Sequence, residues 1–181
     1  MEIRELNPSS DYSEVHRVYK AAFAGLPWEE ELSDEEIDRR LAYQFSKPSL
    51  SGLVMLEDNE IVAVHWHDIL TLDGLFLERG RALTQWVQSS ISGQPVIVWE
   101  RSLIVHPDHQ RKGHAQWLRS TFFYRLTNAA TDHLVLTSLR DDNTGAIEAA
   151  KKLYMNKTGV SKPAKESGQM YDYWFVEVKT S

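Results

Sequence analysis

The sequence predicts a mixed α/β fold for this chain of 181 residues, and three observations lead to that fold class. Segments in which apolar and polar residues alternate are interspersed with segments whose apolar residues recur every three or four positions, as is typical of strands and helices. The apolar segment 96–105 leads through a proline and a glycine loop into a helical stripe, which is the pattern of a parallel crossover. An aromatic and β-branched segment at 170–178 indicates a closing strand.

The first part of the chain predicts a strand, two helices and a hairpin. Residues 1–6 alternate in polarity, and the apolar residues of 15–23 follow helical spacing. Ser33 and Glu36 form a capping-box pattern that marks the start of a second helix. Two apolar segments, 53–56 and 61–67, flank a polar turn and therefore predict a hairpin.

In the second part, a long excursion precedes the central strand. This insert, 74–93, contains one short helical pattern, and an excursion of that length between strands is often functional. No repeat or linker is evident, so we expect a single domain over residues 1–181. The elements predicted beyond the insert are a strand at 96–105, a helix from 115 to 126, a strand at 134–139, a helix at 144–156 and a strand at 170–178.

Composition narrows the function classes. The chain has 20 Lys and Arg against 26 Asp and Glu, a net charge of −6 that disfavours non-specific binding to nucleic acid. It has no cysteine, which excludes disulfides, a cysteine nucleophile and thiolate zinc ligands. No apolar run is long enough to span a membrane. We expect a cytoplasmic protein with no metal and no membrane or nucleic-acid partner.

The most informative motif is the segment from Gln110 to Ala115, which lies between the predicted strand 96–105 and the next helix. A helix start presents unpaired backbone N–H groups and a partial positive charge, so it binds phosphate well. Gly113 allows the backbone to approach a ligand closely. Arg111 and Lys112 add two cations. The motif fits neither the nucleotide P-loop nor G-x-G-x-x-G.

The spacing Q-x-x-G-x-A after a strand ending in Val-x-Pro resembles the coenzyme-A pyrophosphate loop of GNAT-superfamily N-acetyltransferases. The order of the elements also matches the GNAT fold, most specifically over a coenzyme-A core at 96–154. The resemblance implies acetyl-CoA as cosubstrate and central strands that splay apart, so that the backbone of 103–105 pairs with the pantetheine arm. The cofactor-binding residues it implies are Leu103, Ile104, Val105, Gln110, Arg111, Lys112, Gly113, His114, Ala115, Gln116 and Asn143.

Tyr154 stands where the family often places its general acid, since a phenol can protonate a leaving thiolate. The alternative is a core tyrosine on an amphipathic helix, and Asn143 is alternatively an ordinary helix cap. Eleven positions separate Asn143 from Tyr154, against seven in the family, so a continuous helix would displace the phenol by about 6 Å along its axis.

Glu100 is the one carboxylate inside the central strand and is a candidate general base, because burial would raise its pKa. The alternatives are an ion pair with Arg101 or Arg119, or a water chain in place of a single base. His65 and His67 share one strand face and either line an acceptor pocket or pack against aromatic rings. H-x-H is also metal-ligand spacing, for which His106 or His109 is a conceivable third ligand.

The resemblance therefore implies an N-acetyltransferase in which a primary amine attacks the thioester of acetyl-CoA directly in a ternary complex. The acceptor is a small-molecule amine or a peptide amine, and the insert 74–93 is expected to determine which. The alternative is a non-catalytic acyl-CoA-binding sensor or regulatory module on the same fold. A homodimer would form if segment 170–178 were a free sheet edge.

Overall fold

The computed structural model of the chain describes residues 1–25, 28–163 and 169–180. Over these residues it forms a mixed sheet of seven strands with six helices, which confirms the predicted fold class. The strand order in the sheet is β1-β2-β3-β4-β5-β7-β6. The elements are β1 (Glu2–Glu5), α1 (Tyr12–Ala24), α2 (Asp34–Phe45), β2 (Ser51–Glu57), β3 (Glu60–Leu70), α3 (Leu72–Arg79), α4 (Arg81–Ser90), β4 (Val96–Val105), α5 (His114–Thr127), β5 (His133–Arg140), α6 (Thr144–Lys152), β6 (Asn156–Pro163) and β7 (Met170–Val178), with a 3₁₀ turn at Pro107–His109.

The chain divides into two compact units. The first comprises Met1–Asp68 and Arg101–Phe122, and the second comprises Ile69–Glu100 and Phe123–Ser181. Each unit has an apolar core of its own. The single domain expected from the sequence stays a prediction.

In the first unit, β1, β2 and β3 pair antiparallel. The predicted hairpin between β2 and β3 turns at Asp58 and Asn59, whose φ angles of 50° and 67° match a type I′ turn. The end of β4 is tied to β3, since the His106 N–H donates to the Val62 carbonyl at 2.9 Å. Ser33 caps α2 as expected, because its hydroxyl accepts from the Glu36 N–H at 3.2 Å.

The core of the first unit joins apolar faces of α1 and α2 to those of the strands. Apolar residues at helical spacing on α1 and apolar residues of β2 and β3 pack together there. This shared burial is why the elements could be recognised from their sequence patterns. Its buried members are Val15, Val18, Tyr19, Ala22, Ile37, Leu41, Val54, Ile61, Val64, Trp66 and Ile104.

In the second unit, β4 and β5 are parallel neighbours over a short stretch. Val96–Trp99 pairs with His133–Leu136, and among the described residues the pairing ends there although β4 continues to Val105 and β5 to Arg140. This interruption is the splaying of the central strands that the sequence analysis expects. The core of this unit consists of Leu70, Leu75, Leu83, Val87, Ile97, Trp99, Leu134, Leu136 and Tyr173.

Two elements of the second unit were missed or merged by the sequence analysis. Strand β6, Asn156–Pro163, was not predicted because its segment contains Asn, Lys, Gly and Pro, which are depleted in strands, and none of its residues is buried. The insert 74–93 holds two helices instead of one. Gly80 separates α3 from α4 with φ 88°, a conformation that favours glycine.

Two further expectations were wrong. Strand β7 lies between β5 and β6 and pairs with both, so segment 170–178 is not the free sheet edge that was considered as a route to a homodimer. The last predicted helix, 144–156, ends at Lys152, and Tyr154 therefore lies outside it.

Within the described ranges, no helix combines the length and the apolar character that crossing a membrane requires.

Candidate active site

The loop between β4 and α5 is the best-defined candidate site in the first unit. Its backbone turns through left-handed conformations at Arg111, with φ 61°, and at Gly113, with φ 85°. Glycine adopts such angles without cost, whereas arginine does so rarely and at some strain. A Cβ atom added to Gly113 would meet no described atom within 4 Å, so the glycine faces open space.

The start of α5 leaves backbone donors available for a ligand. The N–H of Trp117 donates to the Gly113 carbonyl at 2.9 Å, and this is the first bond of the helical pattern. The N–H groups of His114, Ala115 and Gln116 precede it and have no acceptor within the helix. Three donors and the positive end of the helix dipole thus lie beside Gly113, an arrangement that binds anions.

Gln110 fastens the entrance of this loop to the strand before it. Its side-chain Nε2 donates to the Val105 carbonyl at 3.2 Å. The Val105 carbonyl, which the resemblance assigns to the pantetheine arm, therefore already accepts one bond. Leu103 and Val105 are half-buried, while Ile104 is buried in the core of the first unit.

The loop side chains divide into exposed and buried ones. Those of Arg111, Lys112 and Gln116 are exposed, as phosphate contacts require, and Ala115 is half-buried. His114 differs because its ring is buried and its Nε2 lies 3.0 Å from Oε1 of Glu57. The candidate ligand contact of His114 is therefore its backbone N–H.

Asn143 belongs to the second unit and caps α6. Its Oδ1 accepts from the Ala146 N–H at 3.1 Å, so the cap interpretation of this residue is confirmed. Its predicted role toward coenzyme A stays a prediction.

The end of α6 has an unusual residue in its most constrained position. The Tyr154 N–H donates to the Lys151 carbonyl at 3.0 Å, and the Met155 N–H donates to the Ala150 carbonyl at 3.1 Å. These two bonds define a Schellman motif, in which the left-handed position is usually glycine. Here Tyr154 occupies it, with φ 58°.

The Tyr154 side chain is 85% exposed. The alternative interpretation of Tyr154 as a core residue is therefore wrong. The 6 Å displacement expected for a continuous helix does not apply either, because the helix ends before the tyrosine. A bulky residue held at positive φ is a strained position, and strain of this kind concentrates at functional sites.

Glu100 lies in β4 and is 3% exposed. Its strand neighbour Arg101, one of the ion-pair partners considered for it, forms two hydrogen bonds of 2.7 Å with Asp68. Arg119, the other one, is buried within α5. The assignment of Glu100 as a general base stays a prediction.

His65 and His67 pack against one aromatic ring. Their ring centroids lie 4.7 and 4.5 Å from that of Phe122. Among the described residues, the one group of three metal-ligating side chains that converges does not include them. It consists of Glu57, His109 and His114. No local pattern pointed to this cluster, since its members come from a hairpin, a 3₁₀ turn and a helix start.

An open pocket of about 350 Å³ lies on α3 and α4, lined by residues of the insert and by the two residues before it. Its lining combines apolar, polar and charged side chains. They are Leu72, Asp73, Phe76, Arg81, Thr84, Gln85 and Gln88.

Comparison with known proteins agrees with the predicted fold. The family model "Acetyltransferase (GNAT) family" matches residues 12–154. The chain therefore belongs to the GNAT acetyltransferase family. None of the curated proteins compared with it by sequence gives a match.

Several solved structures share the fold across nearly the whole chain. The ribosomal-protein-S18-alanine N-acetyltransferase from Escherichia coli is 12% identical, with TM-score 0.71, over 99% of this chain and 95% of that one. Arabidopsis thaliana NAA60, in complex with a bisubstrate analogue, is 12% identical, with TM-score 0.69, over 99% of each chain.

A third structure is yncA, a putative acetyltransferase from Salmonella typhimurium with its cofactor acetyl-CoA. It is 17% identical, with TM-score 0.65, over 100% of this chain and 95% of that one. At these identities the likeness establishes the fold, while the family rests on the sequence model.

Proposed function

We propose that this chain is an N-acetyltransferase that transfers the acetyl group of acetyl-CoA to a primary amine by direct attack in a ternary complex. The observation that carries the proposal is the Gln110–Gln116 segment, which has two left-handed residues, Arg111 and Gly113, followed by three helix-start N–H groups without an acceptor in the helix. Membership of the GNAT family supports the reaction class. The acetyl-CoA in the yncA structure supports the cosubstrate.

The residues of this segment fit a diphosphate. The N–H groups of His114, Ala115 and Gln116 would bind its oxygens, and the exposed cations Arg111 and Lys112 would offset its charge. Gly113 would leave room for it, since a Cβ there meets no described atom. Backbone atoms of Leu103, Ile104 and Val105 would pair with the pantetheine arm in the manner of an added strand, and Asn143 would contribute a side-chain amide.

In the proposed reaction the bound cosubstrate supplies an acetyl thioester. The neutral amine nitrogen forms a bond to the acetyl carbon, and the carbon–sulfur bond breaks. Glu100, or water acting in its place, accepts the proton that the amine loses. The Tyr154 hydroxyl donates a proton to the leaving sulfur. The absence of cysteine from the sequence supports direct attack over a cysteine acyl-enzyme.

The acceptor is proposed to be a small-molecule amine or a peptide amine. The pocket of about 350 Å³ on α3 and α4 is lined largely by the insert, and Asp73, just before the insert, could pair there with a cationic group. One fold relative, the ribosomal-protein-S18-alanine N-acetyltransferase, supports the peptide class by its name.

A non-catalytic acyl-CoA-binding module is the second candidate. The observation that favours it is the exposure of Tyr154 beyond the end of α6, since a general acid is more often partly enclosed. Such a module would bind acetyl-CoA through the same loop and would show no turnover.

Calorimetric titration with acetyl-CoA tests the shared part of both candidates. The wild-type chain should bind with a micromolar dissociation constant, and Gly113→Trp should abolish binding because the side chain would fill the space beside the helix start. Gly93→Trp is the matched control. Gly93 also has positive φ, at 79°, and open space around it, but it lies in the second unit.

Binding that survives Gly113→Trp would contradict the assignment of the loop, as would absence of binding to the wild type. When binding is established, an amine screen with thiol detection separates the enzyme from the non-catalytic module.

A further inference from the structure

Glu57, His109 and His114 bring three metal-ligating groups together in the first unit. One ligand atom from each lies within 4.8 Å of the other two. Nδ1 of His109 is 2.8 Å from one Glu57 carboxylate oxygen, and Nε2 of His114 is 3.0 Å from the other. Ligand atoms of a tetrahedral zinc ion with bonds of about 2.0–2.1 Å stand roughly 3.3 Å apart. Small side-chain rotations would therefore bring all three onto one ion.

The imidazole of His114 gives a second, independent indication of a ligand. The residue is 4% exposed, yet neither ring nitrogen has a hydrogen-bond partner within the described part of the chain. The 3.0 Å approach of Nε2 to Glu57 therefore lacks hydrogen-bond direction. A buried imidazole without a partner is costly, and coordination to a metal would satisfy the nitrogen that faces Glu57.

The ligand set selects the metal. Two imidazoles and one carboxylate form the His₂Glu set of zinc enzymes, with a fourth position left for water. Mg²⁺ and Ca²⁺ prefer sites built from oxygen ligands.

We propose that Glu57, His109 and His114 bind one Zn²⁺ ion. The absence of cysteine led the sequence analysis to expect no metal, but this ligand set needs no thiolate. His109 ends the 3₁₀ turn before the loop and His114 begins α5 after it. The ion would thus fix both ends of the segment 110–113 to the end of β2.

Calorimetric titration of the metal-free full chain with zinc chloride tests the site, without acetyl-CoA, so its outcome does not depend on the proposed function. We expect one zinc ion per chain, bound with a micromolar or lower dissociation constant. Glu57→Gln and His109→Gln should each weaken binding at least tenfold, since losing even an outer-shell partner costs about 10–100-fold. Both side chains are about one quarter exposed, so both variants should fold.

His16→Gln is the matched control. Nε2 of His16 lies 3.8 and 3.7 Å from carboxylate oxygens of Asp34 and Asp38, which makes it a second histidine beside two acids. Its replacement should leave zinc affinity unchanged. Hydrogen exchange at residues 110–113 should slow when zinc is added to the wild type and not when it is added to His109→Gln.

Absence of one-to-one binding would overturn the proposal. So would zinc affinity that is unchanged in Glu57→Gln or His109→Gln, and so would loss of binding in His16→Gln.

Discussion

The loop after β4 and the turn after α6 both depend on left-handed backbone, and they fill those positions differently. In the loop, Gly113 takes one of the two left-handed positions, and its φ of 85° costs it little. At the end of α6, the single left-handed position holds Tyr154, with φ 58°. A left-handed conformation costs a non-glycine residue roughly 1–2 kcal/mol.

This difference in residue type explains why the loop after β4 could be predicted from the sequence and the end of α6 could not. A glycine between a strand and a helix announces a turn, and the loop was predicted with its ligand. A tyrosine is not a signal for a helix end, so the sequence analysis extended the helix through Tyr154 to residue 156. Two backbone hydrogen bonds, from Tyr154 to Lys151 and from Met155 to Ala150, hold the tyrosine in the left-handed conformation, which a non-glycine residue otherwise avoids.

The largest expected effect comes from Tyr154→Phe. Removing the hydroxyl should lower kcat by about 10²–10⁴-fold, the usual contribution of a general acid. The acetyl-CoA dissociation constant should stay within twofold, because the loop is unchanged. Steady-state kinetics and calorimetry on the same preparations measure both. Tyr124→Phe, at another exposed tyrosine, is the matched control and should retain full activity.

Tyr154→Gly separates the effect of the phenol on turnover from the effect of the left-handed backbone on stability. Glycine suits the left-handed position, so we expect the free energy of unfolding to rise by about 0.5–1 kcal/mol while turnover is lost. Denaturant unfolding measures the change. Full turnover in Tyr154→Phe would show that the tyrosine is not the acid. Absence of turnover in the wild type, with acetyl-CoA still bound, would favour the non-catalytic module.

Periodicity predicted most of the fold. The apolar stripes of α1 and α2 and the apolar segments of β2 and β3 are local patterns, and each contributes to a buried core. Strand β6 was not predictable in this way, because its residues have low strand propensity and it is held by pairing with β7. Because β6 was missed, β7 was taken as a possible edge strand, whereas β6 occupies the edge and β7 lies inside the sheet.

The candidate site shows the same division. The Gln110–Ala115 loop is contiguous, so its residues could be named from sequence. The cluster of Glu57, His109 and His114 is not contiguous, because pairing within the sheet brings a hairpin glutamate to two histidines more than 50 positions away. A local sequence pattern cannot predict that residues so far apart in the chain lie together in the fold.

The next prediction concerns Asn143 at the start of α6, which caps the helix and is also proposed to bind coenzyme A. Asn143→Ala removes the cap on the Ala146 N–H and should cost about 1 kcal/mol of unfolding free energy. Asn143→Ser should restore the cap but not the amide. If Asn143 also holds coenzyme A, both variants should bind acetyl-CoA roughly three- to tenfold more weakly, as expected for one lost hydrogen bond. Recovery of affinity in Asn143→Ser would show that the residue is a cap alone.

The smallest expected effect concerns acid stability just before this cap. Asp142 accepts hydrogen bonds of 2.9 and 2.6 Å from Arg140, and these lower the pKa of Asp142 below its ordinary value of 3.8. The stabilisation is therefore present above pH 3.8 and is lost as the pH falls through the lower folded-state pKa. Asp142→Asn should lower Tm slightly at pH 6 and leave it unchanged at pH 2. Asp141→Asn removes the same charge one residue earlier and spares the Arg140 contacts, so it should not reproduce this pH dependence. A Tm difference that stayed constant from pH 6 to pH 2 would mean that the ion pair contributes nothing to the start of α6.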